Sequence, residues 1–164
     1  MTPAARLSAA IEVLADIEAR RRPAPDALKD WGLGHRFAGS KDRAAIASLV
    51  YDALRRRASA AHVMGEATPR AILLGSLALA RGLDVEAIAG LCSGERFAPE
   101  PLTAAERKRL KALKLTDAPA DVAGDFPEWL APDLAAAFGD RLVDEMLALA
   151  ARAPIDIRVN TLKT

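Results

Sequence analysis

Apolar residues recur every three or four positions through almost the whole of this 164-residue chain, and that period predicts an all-α fold. A first helix is predicted over residues 4–20, because one of its faces is apolar. That face carries Leu7, Ile11, Leu14 and Ile17. Hydrophobic residues make up 51% of the chain and the net charge is only +1, so a buried core is expected and disorder is not.

Capping residues and prolines divide the remaining sequence into further helices. Thr68 and Pro69 are the predicted N-cap and first residue of a helix that is apolar on nearly every side, which places it at the centre of a bundle. Thr103 and Glu106 match a capping box, which predicts the start of a basic helix. The predicted helices cover residues 40–57 with Ser40 as N-cap, 59–65, 69–81, 84–91 with Asp84 as cap, 103–114, 127–138, and a last one that starts at Asp140 and ends at Pro154.

Two intervening segments are predicted to be irregular. Pro23 and Pro25 indicate a short turn that leads to Trp31, and Phe37 is expected to fill part of the core. Residues 117–127 contain two prolines and a glycine among acidic side chains, which is typical of a linker or of short turns.

The period changes at the end of the chain. Ile155, Ile157 and Val159 alternate with polar neighbours, which predicts a single strand. A lone strand has no partner for its backbone N–H and C=O groups. We therefore expect a truncated chain, in which residues 153–164 start the next subdomain, after a helical domain over 1–116 and a helical connector over 117–152.

Several classes of protein do not fit this sequence. The single Cys92 cannot form an internal disulfide, and with His35 and His62 it does not match the spacing of zinc ligands. Cys92 is expected to be a small buried residue, the alternative being a reactive thiolate near Arg96. No apolar run approaches the roughly 20 residues of a membrane span. We expect a cytoplasmic protein with no membrane or metal partner and no cofactor bound to this chain.

The small net charge hides two unlike parts. Residues 1–114 carry 19 basic and 13 acidic side chains, whereas residues 115–164 carry 4 and 9. The basic clusters indicate a phosphate-binding surface that contacts RNA through its backbone, because no interleaved aromatic residues accompany them. The candidate RNA-binding residues are Arg20, Arg21, Arg22, Arg36, Lys41, Arg43, Arg55, Arg56, Arg57, Arg107, Lys108 and Lys111.

A structural role for the same arginines is the alternative. Both arginine triplets fall in the last turn of a predicted helix, where the helix dipole favours a cation by about 0.3–1 kcal/mol. Arg43 has its own alternative, which is a salt bridge within its helix.

Two groups of motifs resemble known families. Residues 39–43 (GSKDR) and 49–55 (LVYDALR) resemble the "(K)DR…LVYGVLR" helix of NusB-like domains. Residues 127–130 (PEWL), Phe138-Gly139 and residues 153–163 (APIDIRVNTLK) resemble the pattern that precedes the catalytic domain of RsmB/Sun-type ribosomal RNA cytosine-C5 methyltransferases. Together they extend over most of the chain.

The resemblance implies a noncatalytic part of such an enzyme. In this family the NusB-like domain contacts RNA, and the domain that binds S-adenosylmethionine lies further along the parent protein. The family's catalytic cysteines stand in Thr-Cys and Pro-Cys dipeptides, which do not occur here, and Cys92 follows Leu91. Residues 84–114 depart from the NusB-like pattern, so the RNA-facing surface of other members is not transferred to them.

Three functions remain open at this point. The first is the RNA-binding N-terminal region of an S-adenosylmethionine-dependent methyltransferase, which holds structured small-subunit ribosomal RNA for its own C-terminal catalytic domain to reach a flipped-out cytosine. The second is a free-standing NusB-type transcription antitermination factor, against which the RVNTLK segment argues. The third is a helical interaction module whose arginines only cap helices.

Overall fold

α-Helices account for nearly all the regular structure in the computed structural model, which describes residues 1–153, 155–159 and 161–163. The all-α prediction is confirmed, and these ranges contain no strand. Within them, no helix has the length and apolar character needed to cross a membrane. The helices are α1 (Pro3–Arg20), α2 (Ala24–Gly34), α3 (Ser40–Arg55), α4 (Arg57–Met64), α5 (Pro69–Arg81), α6 (Val85–Leu91), α7 (Ala104–Ala112), α8 (Ala120–Ala123), α9 (Ala131–Phe138) and α10 (Leu142–Ala150), with 3-10 turns at Glu128–Leu130, Gly139–Arg141 and Thr161–Lys163.

Helix α5 lies at the centre of the larger core, as its apolar sequence predicts. All of residues 71–78 are buried, and the helix packs against α1, α3 and α4. The one hydroxyl in this stretch, on Ser76, donates a hydrogen bond to the Leu73 carbonyl at 2.9 Å, so its burial leaves no unpaired donor. The closest approach is to α4, where a Cβ on Gly75 would lie 2.9 Å from the backbone of Ala60.

Most predicted caps are confirmed. The side chains of Thr68 and Asp84 accept hydrogen bonds from the amides of Ala71 and Ala87. Thr103 and Glu106 form the reciprocal capping box that their spacing predicts. The prediction of Ser40 as an N-cap is wrong. Ser40 is the first residue of α3 and makes no capping hydrogen bond, and Gly39 occupies the cap position.

The segment around Pro23 and Pro25 differs from its prediction. It forms helix α2 rather than a turn, because Pro23 stands just before the helix and Pro25 lies in its first turn, where a missing N–H breaks no hydrogen bond. The prediction for Phe37 was also wrong, since its side chain is 72% exposed, and the neighbouring Ala38 is buried in its place.

A smaller apolar cluster follows the main bundle. Phe126, Leu142 and Met146 are buried together, with α9 packed against them. The segment 117–127 is not a free linker, because the carboxylate of Asp125, which is 1% exposed, accepts hydrogen bonds from the Ser59 amide (2.8 Å) and hydroxyl (2.6 Å). This buried contact fixes the second cluster to α4.

The predicted strand near the end of the chain is not confirmed. Residues 155–159 have no regular secondary structure, and the side chains of Ile155, Ile157 and Val159 are exposed. Helix α10 ends at Ala150, while its predicted terminator Pro154 lies outside the described residues, as do Asn160 and Thr164.

The contact between α4 and α5 generates a stability prediction. Gly75→Ala should lower the free energy of unfolding by about 1–3 kcal/mol, because the new methyl group overlaps the Ala60 backbone. Gly90→Ala is the matched control: it lies in α6 with open space around its Cα, so the free energy should rise by about 0.5 kcal/mol or more. Urea unfolding measures both, and equal effects of the two substitutions would contradict the close approach.

Candidate nucleic-acid interface

Half of the predicted RNA-binding cations are engaged by carboxylates of the protein itself. Their partners lie one helical turn away or in other parts of the fold, at nitrogen-to-oxygen distances between 2.5 and 3.5 Å. The six pairs are Arg20–Asp16, Arg22–Asp30, Arg55–Asp52, Arg56–Asp125, Arg57–Glu18 and Arg107–Glu86. A cation in such a pair has already lost much of its attraction for an external phosphate.

The first triplet connects α1 to α2. The guanidinium of Arg22 lies 2.5 Å from the carboxylate of Asp30 and 3.4 Å from that of Asp16. The hydrogen bond between Arg22 and Asp30 raises the pKa of the arginine and lowers the pKa of the carboxyl group. Arg20 pairs with Asp16, whereas Arg21 is the left-handed C-cap residue of α1 and makes no ion pair in the described ranges.

The second triplet connects four parts of the fold. Arg55 shares the carboxylate of Asp52 with Arg81 of α5. Arg56 lies at the break between α3 and α4, 3.5 Å from the buried carboxylate of Asp125. Arg57 forms an ion pair with Glu18 of α1 at 3.1 Å. These contacts agree better with the structural alternative than with an RNA-binding role, although the structural role is cross-linking of helices rather than capping alone.

Arg43 also has a structural role, but a different one from a salt bridge. Its Nε donates a hydrogen bond to the Ala38 carbonyl at 2.9 Å, and its side chain passes over Gly32, where an added Cβ would lie 3.5 Å away. Arg43 thereby fixes the connection between α2 and α3 (residues 35–39), which carries Arg36 and Phe37.

The remaining predicted cations have no carboxylate partner within the part of the chain that the structure describes. They are exposed and lie mainly in two places, the α2–α3 region and helix α7. Lys108 and Lys111 stand three residues apart on α7 and so share one face. The five are Arg21, Arg36, Lys41, Lys108 and Lys111.

Helix α7, which carries these two lysines, is anchored to α5. Arg70 of α5 donates hydrogen bonds from Nε and Nη2 to the carboxylate of Glu106, at 2.7 and 3.2 Å. The same carboxylate accepts a hydrogen bond from the Thr103 amide at 2.7 Å. Burial acts to raise the pKa of Glu106, but these hydrogen bonds outweigh it and hold the pKa below its usual range.

Cys92 lies beside this pair and is not available for chemistry. It is buried, and burial raises the pKa of its thiol, which confirms the expected core residue and removes the reactive-thiolate alternative. Of the two histidines, His62 is exposed and His35 is half-buried. No group of three or more His, Cys, Asp or Glu in the described ranges is placed to hold a metal ion.

Sequence reasoning missed a groove lined by aromatic rings, which we call the aromatic groove. Its volume is about 840 Å³, and its lining includes Trp31, His35, Phe37, Arg96 and Phe97. The rings of Trp31 and His35 stack with centroids 4.2 Å apart, and Phe37 meets His35 edge-on at 5.7 Å. The sequence has no aromatic residues interleaved with its basic clusters, and the rings of this groove come from residues 31–37 together with Phe97, far away in the chain.

Phe97 is held in the groove in a costly conformation. Its φ of +68° lies in the left-handed region, which costs a bulky side chain about 1–2 kcal/mol. The Ser8 hydroxyl donates a hydrogen bond to the Phe97 carbonyl at 2.8 Å and so attaches this loop to α1. The ring is nevertheless 67% exposed, with the Arg96 guanidinium 4.8 Å above it.

Comparisons of the chain with protein-family models, with curated proteins and with solved structures find no match.

The Glu106 contacts generate a prediction about pH. Because the folded-state pKa is lowered, the contribution of Glu106 to stability is fully present above its unfolded pKa of about 4.3 and is lost as the pH falls through the folded value. Glu106→Gln should therefore lower the free energy of unfolding at neutral pH by about 1–3 kcal/mol and flatten its decline in acid. Urea unfolding from neutral pH to about pH 3 measures both effects, and an unchanged acid dependence would contradict the assignment.

Proposed function

We propose that this chain is the RNA-binding N-terminal region of an S-adenosylmethionine-dependent ribosomal RNA cytosine-C5 methyltransferase. The observation that carries the proposal is the set of exposed cations without carboxylate partners among the described residues, above all Lys108 and Lys111 on the anchored helix α7. Such cations retain their charge for an external anion, and RNA supplies phosphates at regular spacing. The family motifs then favour RNA over other polyanions.

The parts of the chain take different roles in this proposal. Helices α1–α7 form the NusB-like domain, α8–α10 form the connector, and residues 153–164 start the next subdomain. Ile155 and Ile157 support the last point, because they are 86% and 79% exposed and so remain open to a partner that would cover them.

Catalysis is assigned to another part of the parent protein. S-adenosylmethionine, bound in the parent's catalytic domain, supplies the methyl group. Residues of this chain hold small-subunit ribosomal RNA through its phosphates, so that one cytosine reaches that domain. A cytoplasmic location accompanies this role.

Substitution of the two lysines on α7 tests the proposal. In a titration with a small-subunit ribosomal RNA hairpin, Lys108→Gln with Lys111→Gln should weaken binding about tenfold at low salt, since two charge-assisted contacts are lost. The slope of log Kd against log salt concentration, measured between about 50 and 200 mM, should fall by about 2.

A double variant with the same change in net charge provides the control. Arg20→Gln with Arg57→Gln removes two exposed arginines that are paired with Asp16 and Glu18. We expect this variant to bind the hairpin nearly as well as the parent chain. Equal losses in the two double variants, or no binding of the hairpin by the parent chain at low salt, would contradict the proposal.

A further inference from the structure

The aromatic groove exposes flat apolar rings to solvent, and it is large enough for a planar ligand. Phe37 and Phe97 are 72% and 67% exposed, although both are large apolar side chains. Helix α1 forms one wall of the groove with Ala5, Ala9 and Glu12. A volume of about 840 Å³ is enough for more than one nucleobase-sized ring system.

Two arginines accompany the groove, Arg96 in its lining and Arg36 between two lining residues in the sequence. Glu12 supplies the only carboxylate among the described lining residues, and it accepts a hydrogen bond from the Trp31 indole N–H at 3.0 Å. Arg96 lies over the Phe97 ring, and Arg36 stands between His35 and Phe37 in the chain. Neither arginine has a carboxylate partner within the described part of the chain.

The fold fixes the backbone of both phenylalanines at the surface, at a conformational cost in the case of Phe97. Phe97 has a left-handed backbone conformation, and its carbonyl accepts a hydrogen bond from the Ser8 hydroxyl. The Phe37 connection is fixed by the bond from Arg43 to the Ala38 carbonyl and by the stack of His35 on Trp31. Backbone strain at an exposed aromatic residue contributes nothing to core packing, so it points to a role in binding.

We propose that the aromatic groove binds unpaired nucleobases of single-stranded RNA, which stack on Phe37 and Phe97 while Arg36 and Arg96 contact the adjoining phosphates. This inference rests on the proposed RNA-binding function and specifies that the aromatic groove binds the unpaired bases of the RNA. Every base can stack on an aromatic ring, and neighbouring cations contact the phosphates of the backbone. The groove is therefore specific for single-stranded RNA rather than for a particular sequence. Structured RNA would then contact α7 through its phosphates and the groove through a loop.

Trp31 provides a direct measurement of occupancy. The chain has two tryptophans, and the other, Trp129, is 75% exposed and does not line the groove. In a Trp129→Leu background the intrinsic fluorescence reports Trp31 alone. An oligoadenylate of about six nucleotides is the probe, and an abasic oligonucleotide of equal length, which keeps the phosphates without the bases, is its matched control.

Oligoadenylate should quench Trp31 and bind at least about tenfold more tightly than the abasic strand. Phe37→Leu with Phe97→Leu, made in the same background, keeps apolar bulk but removes both planar faces, so it should weaken oligoadenylate binding by about tenfold or more. The Trp129→Leu chain itself should bind oligoadenylate as the parent chain does, which can be followed by anisotropy of a labelled oligonucleotide.

The outcomes separate this inference from the proposed function. Equal affinity for the abasic strand, or no effect of the two leucine substitutions, overturns the groove proposal while hairpin binding through α7 stands. Quenching of Trp31 by a proline-rich peptide but not by oligoadenylate also overturns it, because the groove is then a peptide site. Failure to bind both the hairpin and oligoadenylate at low salt overturns the proposed function together with the inference.

Discussion

Helix α5 is apolar on nearly every side, and the larger core is arranged so as to remove residues 71–78 from water. Burial of residues 71–78 requires neighbours on all faces, which α1, α3 and α4 provide. Gly75 then sets how close α4 comes, since its lack of a side chain lets the Ala60 backbone approach. With the positions of α4 and α5 set in this way, the surface loops and the basic helix α7 have a rigid base.

The arginines divide into those that hold this arrangement together and those left over. Arg22, Arg56 and Arg57 join separate parts of the fold through the carboxylates of Asp30, Asp125 and Glu18, of which only Asp125 is buried, and Arg43 fixes a loop. A surface ion pair contributes little to stability by itself, but each of the three ion pairs also neutralises a cation that could otherwise attract an external polyanion. What remains is a smaller set of cations in the α2–α3 region and on α7, and the aromatic groove lies next to the first of these.

Helices, caps and the central position of α5 could be predicted from the sequence because their causes are local, as with Thr103 and Glu106, three residues apart. Helix α2 was missed because two prolines that fit the start of a helix were interpreted as a turn. The pairing of Arg57 with Glu18 and the placement of Phe37 and Phe97 in one groove depend on residues far apart in the chain, and no period or spacing encodes them. A left-handed φ at Phe97 likewise follows from tertiary contacts, since the residue type favours neither that conformation nor exposure.

We propose that RNA contacts the unpaired cations and the aromatic groove but not the carboxylate-paired arginines of the two triplets. Backbone amide chemical shifts of the isotope-labelled chain, followed by NMR as a ribosomal RNA hairpin with a single-stranded loop is added, test it most directly. We predict the largest changes at residues 35–41, 95–98 and 107–112, with small ones at the paired residues Arg20, Arg22 and Arg55–Arg57. Changes concentrated at the two triplets, with the groove and α7 unaffected, would contradict the account.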